Sequence, residues 1–319
     1  MKKPNLFMIG APKCGTTALA RYLNEHPHVA LAPQKETWFW STDVVHPAPP
    51  HLRIRSEDEY RALFAALKPG ARTLVDASTS YLFSECAIDN VLRFNPGARF
   101  VAILRRPRDM AYSLFWEQRF SLAEPCTDFA EAWREASSMR PRHPSGRWSY
   151  CDYAWIGSFA THLARLNHAV PPARRLILLF EDFVARPREV YRALLDFAGL
   201  EDDHRSEFPV VNEAKASSSS VASWLAHELP QRAPTLFRVG RRLARAAGIR
   251  NVRGSFMNLF SYRLDKPALD PALAAELDAF FEPEVARLEI MLGRSLDVWR
   301  ATPTTPAARS YESAQARGA

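Results

Sequence analysis

A lysine, a glycine and two threonines stand together where the first hydrophobic run ends, in Leu6-Phe7-Met8-Ile9-Gly10-Ala11-Pro12-Lys13-Cys14-Gly15-Thr16-Thr17. Such residues suit anion binding. A helix start offers unpaired N–H groups and the positive end of its dipole, and a loop lysine adds a full charge. Pro12, Lys13, Cys14, Gly15, Thr16 and Thr17 are therefore read as a phosphate cradle. The lysine precedes Gly15, whereas in GxxxxGK(S/T) loops it follows the second glycine and the next hydroxyl holds Mg²⁺. The loop thus predicts a phosphate-bearing donor and argues against ATP hydrolysis.

A second basic cluster, Arg105-Arg106-Pro107, follows the apolar run Arg99–Leu104, with Ala111-Tyr112-Ser113 just beyond. A guanidinium at a strand's C-terminal end binds phosphate in a bidentate manner, and α/β sheets bind ligands at that end. Arg105 and Ser113 are the candidates here.

The elements that must position these groups follow from periodicity. Strands are predicted from Leu6 to the Gly10 turn and over Thr73–Asp76, Arg99–Leu104 and Arg175–Phe180, the third of them central. Helices are predicted over Thr16–Asn24, Glu57–Leu67, Asp109–Arg119, Phe129–Ser137, Gly157–Asn167, Pro187–Gly199 and Pro271–Leu292. Alternation of this kind implies an α/β fold, a central, mainly parallel sheet flanked by helices. One domain is expected over residues 1–300. Residues 42–56 read as an irregular loop, 212–254 as a lid or acceptor-side subregion, and 301–319 as a disordered tail.

Composition narrows the classes. The chain has 319 residues, 47% of them hydrophobic, and a net charge of +7. Its four cysteines form no CxxC pair, which argues against a zinc site and for a reduced compartment. No apolar stretch reaches membrane-spanning length, and Lys2-Lys3 precede too short a run for a signal peptide. The expectation is a cytoplasmic protein. The positive charge suits anionic ligands without choosing among them. No nucleic-acid partner is predicted. Arg238, Arg241, Arg242 and Arg245 share a helical face that could meet an acidic glycan or a membrane surface, though membrane contact is not predicted.

Taken jointly, the two basic segments resemble those of the sulfotransferases that use 3′-phosphoadenosine 5′-phosphosulfate (PAPS), with their P-K-x-G-T-T loop and R-x-P…A-Y-S segment. Lys35-Glu36-Thr37-Trp38-Phe39-Trp40 is similar to the K-E-x-x-F-F element of the heparan-sulfate-type branch, and Gly157–Leu163 to its G-x-Y-x-x-x-L helix start. Phe180-Glu181-Asp182-Phe183 resembles Y-E-D-L, and Val75–Leu82 resembles G-E-x-S-P-S-Y-L. Arg287–Trp299 is similar to the closing R-L-E-x-x-L-G-R-x-L-x-x-W of bacterial members. The resemblance spans roughly residues 5–300.

That resemblance implies the P-loop-like sulfotransferase fold and in-line sulfuryl transfer from PAPS, in a bacterial cytosolic enzyme that needs no metal. Lys13 would neutralise the leaving 5′-phosphate oxygen. Arg105 and Ser113 would hold the 3′-phosphate. Glu36 would be the general base, in preference to His26, His28, His143 or His162. Lys35, Trp38, Trp40 and Asp76 would face the acceptor, with Phe39 in the core. Lys215 and Ser217–Ser220, or Arg253, would replace a missing G-x-S-K-G-R loop on the donor phosphates. Ala77 stands where glycan enzymes often carry lysine, which puts a glycosaminoglycan acceptor in doubt. The expected acceptor is a hydroxyl, less readily an amine, on a carbohydrate or small metabolite. A P-loop kinase-like phosphotransferase and a non-enzymatic polyanion or membrane binder stay open as alternatives.

Overall fold

The computed structural model describes residues 3–46, 53–65, 68–209, 215–217, 261–263 and 267–300. Five strands form one parallel sheet: β1 (Leu6–Gly10), β2 (Val29–Leu31), β3 (Thr73–Ala77), β4 (Arg99–Leu104) and β5 (Arg175–Leu179), in the order β2-β3-β1-β4-β5. All four sequence-predicted strands are present, each ending within about a residue of expectation. The middle strand is β1, however, with β4 beside it. Edge strand β2 was not foreseen, because three residues after the His26-Pro27 turn carry no readable period.

Helices cover the sheet, as an all-parallel sheet requires. They are α1 (Thr16–Glu25), α2 (Glu57–Ala62), α3 (Ser80–Phe83), α4 (Ala87–Phe94), α5 (Pro107–Phe120), α6 (Phe129–Ala136), α7 (Tyr153–Gly157), α8 (Phe159–Ala169), α9 (Phe180–Ala185) and α10 (Pro187–Ala198). The predicted helix at Gly157 is two, broken at Ser158. Gly157 is there because the late helix Pro271–Leu292 packs close: a β-carbon at that position would lie 2.6 Å from the Phe281 ring. That helix buries Leu277, Phe281, Val285 and Leu288. Every residue of β1 and β3 is buried, and Phe7 stacks on Phe100 between β1 and β4.

Among the described residues no helix is long and apolar enough to cross a membrane. The tail 301–319, the four lid arginines, Ser218–Ser220 and Arg253 lie outside the described residues. Of the segment 212–254 only β6 (Lys215–Ser217) is described. It pairs antiparallel with β7 (Ser261–Arg263) and lies beside α5.

His162 is fully buried in α8, with Nε2 2.6 Å from the Trp155 carbonyl and Nδ1 3.1 Å from the Arg165 guanidinium. Burial, then Arg165, lowers its pKa from 6.5 to about 3. A base with a depressed folded-state pKa keeps its full stability above the unfolded value and loses it as pH falls. Stability should therefore drop between pH 6.5 and about 3, by at most ~1.4 kcal/mol per pH unit from this one group. Urea unfolding at pH 7.5, 6 and 5 checks this. A slope left unchanged by His162→Gln would refute it.

Candidate active site

Three sequence segments meet at the C-terminal ends of β1, β3 and β4, where parallel sheets bind ligands. The first is the loop from β1 to α1. The Ala11 N–H donates to the Ile103 carbonyl at 2.8 Å, fixing the loop on β4. Gly15 caps α1 in a left-handed conformation, φ 86°, and no side chain caps the helix. A β-carbon on Gly15 would press to 3.1 Å from the Phe180 ring. Glycine thus answers both the backbone and the contact. The first-turn amides of α1, at Thr16 and Thr17, have no acceptor within their own helix, an arrangement that can seat an anion.

Lys13 itself is left-handed at φ 61°. Its carbonyl accepts from Arg105 Nη1 at 3.4 Å, and the Arg105 guanidinium lies 4.8 Å over the Phe180 ring. The two basic segments are therefore physically joined, and Phe180 supports both. Lys13 Nζ is 3.3 Å from Glu117 on α5. Ser113, one helical repeat before Glu117, is buried on the same helix. Pro12 and Cys14 are buried too. The Cys14 thiol donates to the Pro12 carbonyl, and burial raises its pKa far above the ordinary range. Its side chain shapes the loop as a neutral thiol, leaving only its amide for a ligand.

The second segment carries Glu36. The Ser78 N–H donates to the Met8 carbonyl, and the Glu36 N–H to the Ala77 carbonyl, so this stretch crosses the ends of β1 and β3. The Glu36 carboxylate accepts from the Thr79 N–H at 2.8 Å and the Thr79 hydroxyl at 3.1 Å. Lys35 Nζ pairs with it at 3.0 Å, and the Tyr150 hydroxyl is 3.5 Å away. Gly10 lets this assembly close on the phosphate loop: a β-carbon there would sit 2.7 Å from Leu82 Cβ and 3.2 Å from the Thr79 carbonyl. Six non-glycine residues have positive φ among those described, and three are Lys13, Glu36 and Trp38. Strained backbone of this kind costs about 1–3 kcal/mol per residue and gathers at functional sites.

Asp76 departs from expectation. It was placed facing an acceptor, but it is fully buried at the end of β3. Tyr60, Thr37 and Tyr81 donate to its Oδ2 at 2.8, 2.9 and 3.0 Å, and Ser78 donates to Oδ1 at 2.7 Å. Burial raises its pKa, against the pull of these four hydroxyls. The bond to Asp76 orients the Ser78 hydroxyl, which then accepts from the Thr37 and Trp38 amides. Asp76 thus holds the residues following Glu36. Asp76→Ala should cost about 2–4 kcal/mol in urea unfolding, since buried hydroxyls lose their acceptor. A cost indistinguishable from zero would contradict this role.

Trp40 is a second correction. It is buried against Phe39, Tyr60 and Phe94, so it belongs to the core rather than to an acceptor platform. Phe39, expected in the core, is only partly buried and stacks on Tyr60. Trp38 remains half-buried, stacked on His46, with Nε1 donating to the Tyr150 hydroxyl at 3.1 Å. The backbone of Lys215 and Ser217 runs in β6 beside α5; their side chains lie outside the described residues. The alternative bases fare poorly. His26 is buried at the end of α1 with Nε2 on the Glu201 carbonyl, and His143 is bonded to Ser145.

The sequence reading missed Thr79, Tyr150, Glu117 and the support role of Phe180. Thr79 had a signal. It stands where the G-E-x-S-P-S-Y-L pattern has proline, and so supplies an N–H that proline lacks. Tyr150 had none, lying in an irregular loop. Among the described residues no group of three or more His, Cys, Asp or Glu could hold a metal.

A glycine-turned helix start, joined through the Lys13 carbonyl to the strand-end Arg105 on a five-stranded parallel sheet, is the architecture of an α/β protein able to hold an anion. The Sulfotransferase family model matches residues 4–204, and the chain belongs to that family. It is 28% identical over 206 residues to the human bifunctional heparan sulfate N-deacetylase/N-sulfotransferase 3, a match covering 62% of this chain. The chain spans about a fifth of that relative's length, 22%. It is 29% identical over 133 residues to nodulation protein NoeE of Sinorhizobium fredii, covering 34% of this chain and 30% of that one. The crystal structure of a sulfotransferase from Alicyclobacillus acidocaldarius superposes with a TM-score of 0.69 at 25% identity, covering 94% of this chain and all of that one.

Proposed function

We propose that the protein moves a sulfuryl group from PAPS to an acceptor hydroxyl, releasing adenosine 3′,5′-bisphosphate (PAP). The observation that carries this is the union of Lys13, Arg105 and the uncapped start of α1 at one end of the sheet, with Glu36 fixed beside it. The acceptor oxygen's lone pair forms the new S–O bond. The bond from sulfur to the 5′-phosphate oxygen breaks, and its electron pair stays on that oxygen. Lys13 and the Gly15–Thr17 amides stabilise the charge that develops there. Glu36 takes the acceptor's proton. Arg105 and Ser113 read the 3′-phosphate, with Lys215 and Ser217 approaching from β6 beside α5. Lys35 and Trp38 border the acceptor side, and Asp76 and Trp40 support them from behind.

The acceptor is a carbohydrate or small hydroxylated metabolite. The match to a protein named for heparan sulfate supports the carbohydrate side of this class, and Trp38 offers an aromatic face for stacking. Incubation with sulfur-labelled PAPS and a panel of sugars, small alcohols and amines tests the reading. Label on a hydroxyl supports it. Label on amines alone overturns the hydroxyl preference. Magnesium-dependent phosphate transfer from ATP, with no sulfur transfer, overturns the whole proposal.

A further inference from the structure

Lys13 is the cation on which the proposed donor site turns, and its side chain is paired with a carboxylate. Its ammonium is 3.3 Å from Glu117 Oε1, with both side chains partly exposed, 27% and 48%. Among the described residues Glu117 is the only carboxylate in ion-pair contact with Lys13, and Arg105 has none. The carboxylate projects from α5, the helix that carries Ser113, so it borders the donor site on the side of the proposed 3′-phosphate contact. Glu36, by contrast, is committed to Thr79 and Lys35.

We infer that Glu117 is an internal counter-ion of the donor site. Glu117 and the donor compete for the Lys13 ammonium, so donor binding must displace the carboxylate. The reasoning rests on the donor-binding role proposed above for Lys13. One ammonium cannot pair fully with a carboxylate and a phosphosulfate together, and once displaced Glu117 stands as a like charge beside the donor. Both effects weaken the binding of PAPS and of PAP. They also give Lys13 a partner to return to as PAP leaves, which favours product release. Glu117 is thus a tuning residue for affinity and dissociation, and takes no part in bond making.

Calorimetric titration of PAP into the wild type, Glu117→Gln, Lys13→Met and the double variant tests this. Glu117→Gln should bind PAP about three- to tenfold more tightly, the scale of a partly exposed ion pair plus one near like charge. PAP dissociation, followed by stopped-flow competition, should slow by a similar factor. In the Lys13→Met background the gain should shrink to less than half. Unchanged or weaker binding in Glu117→Gln overturns the counter-ion. So does a gain that persists in full without Lys13, because that is plain repulsion. A wild type that binds no PAP overturns the donor reading itself, and the two failures are therefore distinguishable.

Discussion

Glu36→Gln lowers kcat for sulfuryl transfer by about 10²–10⁴, the range for loss of a general base. The glutamine amide keeps the size of the carboxylate and can still accept from the Thr79 N–H, which now holds Glu36 at 2.8 Å. The geometry around it, fixed by Asp76 through Ser78, should survive. Folding and PAP affinity therefore stay at wild-type values while turnover collapses. Steady-state kinetics beside PAP calorimetry separates the two. A kcat within a few fold of wild type would remove Glu36 from the reaction and leave it as the partner of Lys35.

Lys13→Ala lowers kcat by about 10²–10³, the loss expected for one preorganised group at a developing charge. It also weakens PAP binding, because the same ammonium faces the 5′-phosphate of the product. This variant leaves the left-handed strain at Lys13 in place, since alanine keeps the β-carbon that disfavours φ 61°. Stability should change little, as the lost ion pair to Glu117 is partly exposed. Thermal melting checks stability and initial rates check activity. Full activity in a folded Lys13→Ala protein would contradict the proposed charge stabilisation.

The sheet and the two basic segments were legible because each is a local pattern: an apolar run, a turn residue, then a helix start. The proposed role of Glu36 came only through resemblance, since Lys35-Glu36 alone reads as an ion pair, and that pair is present. The two misjudged residues have separate physical causes. Trp40 lies beside good candidates in sequence, but left-handed turns at Glu36 and Trp38 redirect the chain. Alternation counted across such turns assigns faces wrongly, so Trp40 goes into the core and Phe39 toward its edge. Asp76 is a charged residue completing an otherwise apolar strand, and burial with four hydroxyl donors depends on Tyr60, Thr37, Ser78 and Tyr81 arriving from other elements. Glu117 was invisible because its partner stands more than a hundred residues away.

The most direct test of the central claim is calorimetric titration with PAP, beside AMP and ATP, in magnesium-free buffer. The account predicts binding of PAP well above either comparator, and its loss in Arg105→Ala, because the 3′-phosphate is the group that Arg105 is proposed to read. A folded protein that binds ATP as well as PAP, or that binds neither, would contradict the sulfuryl-donor site.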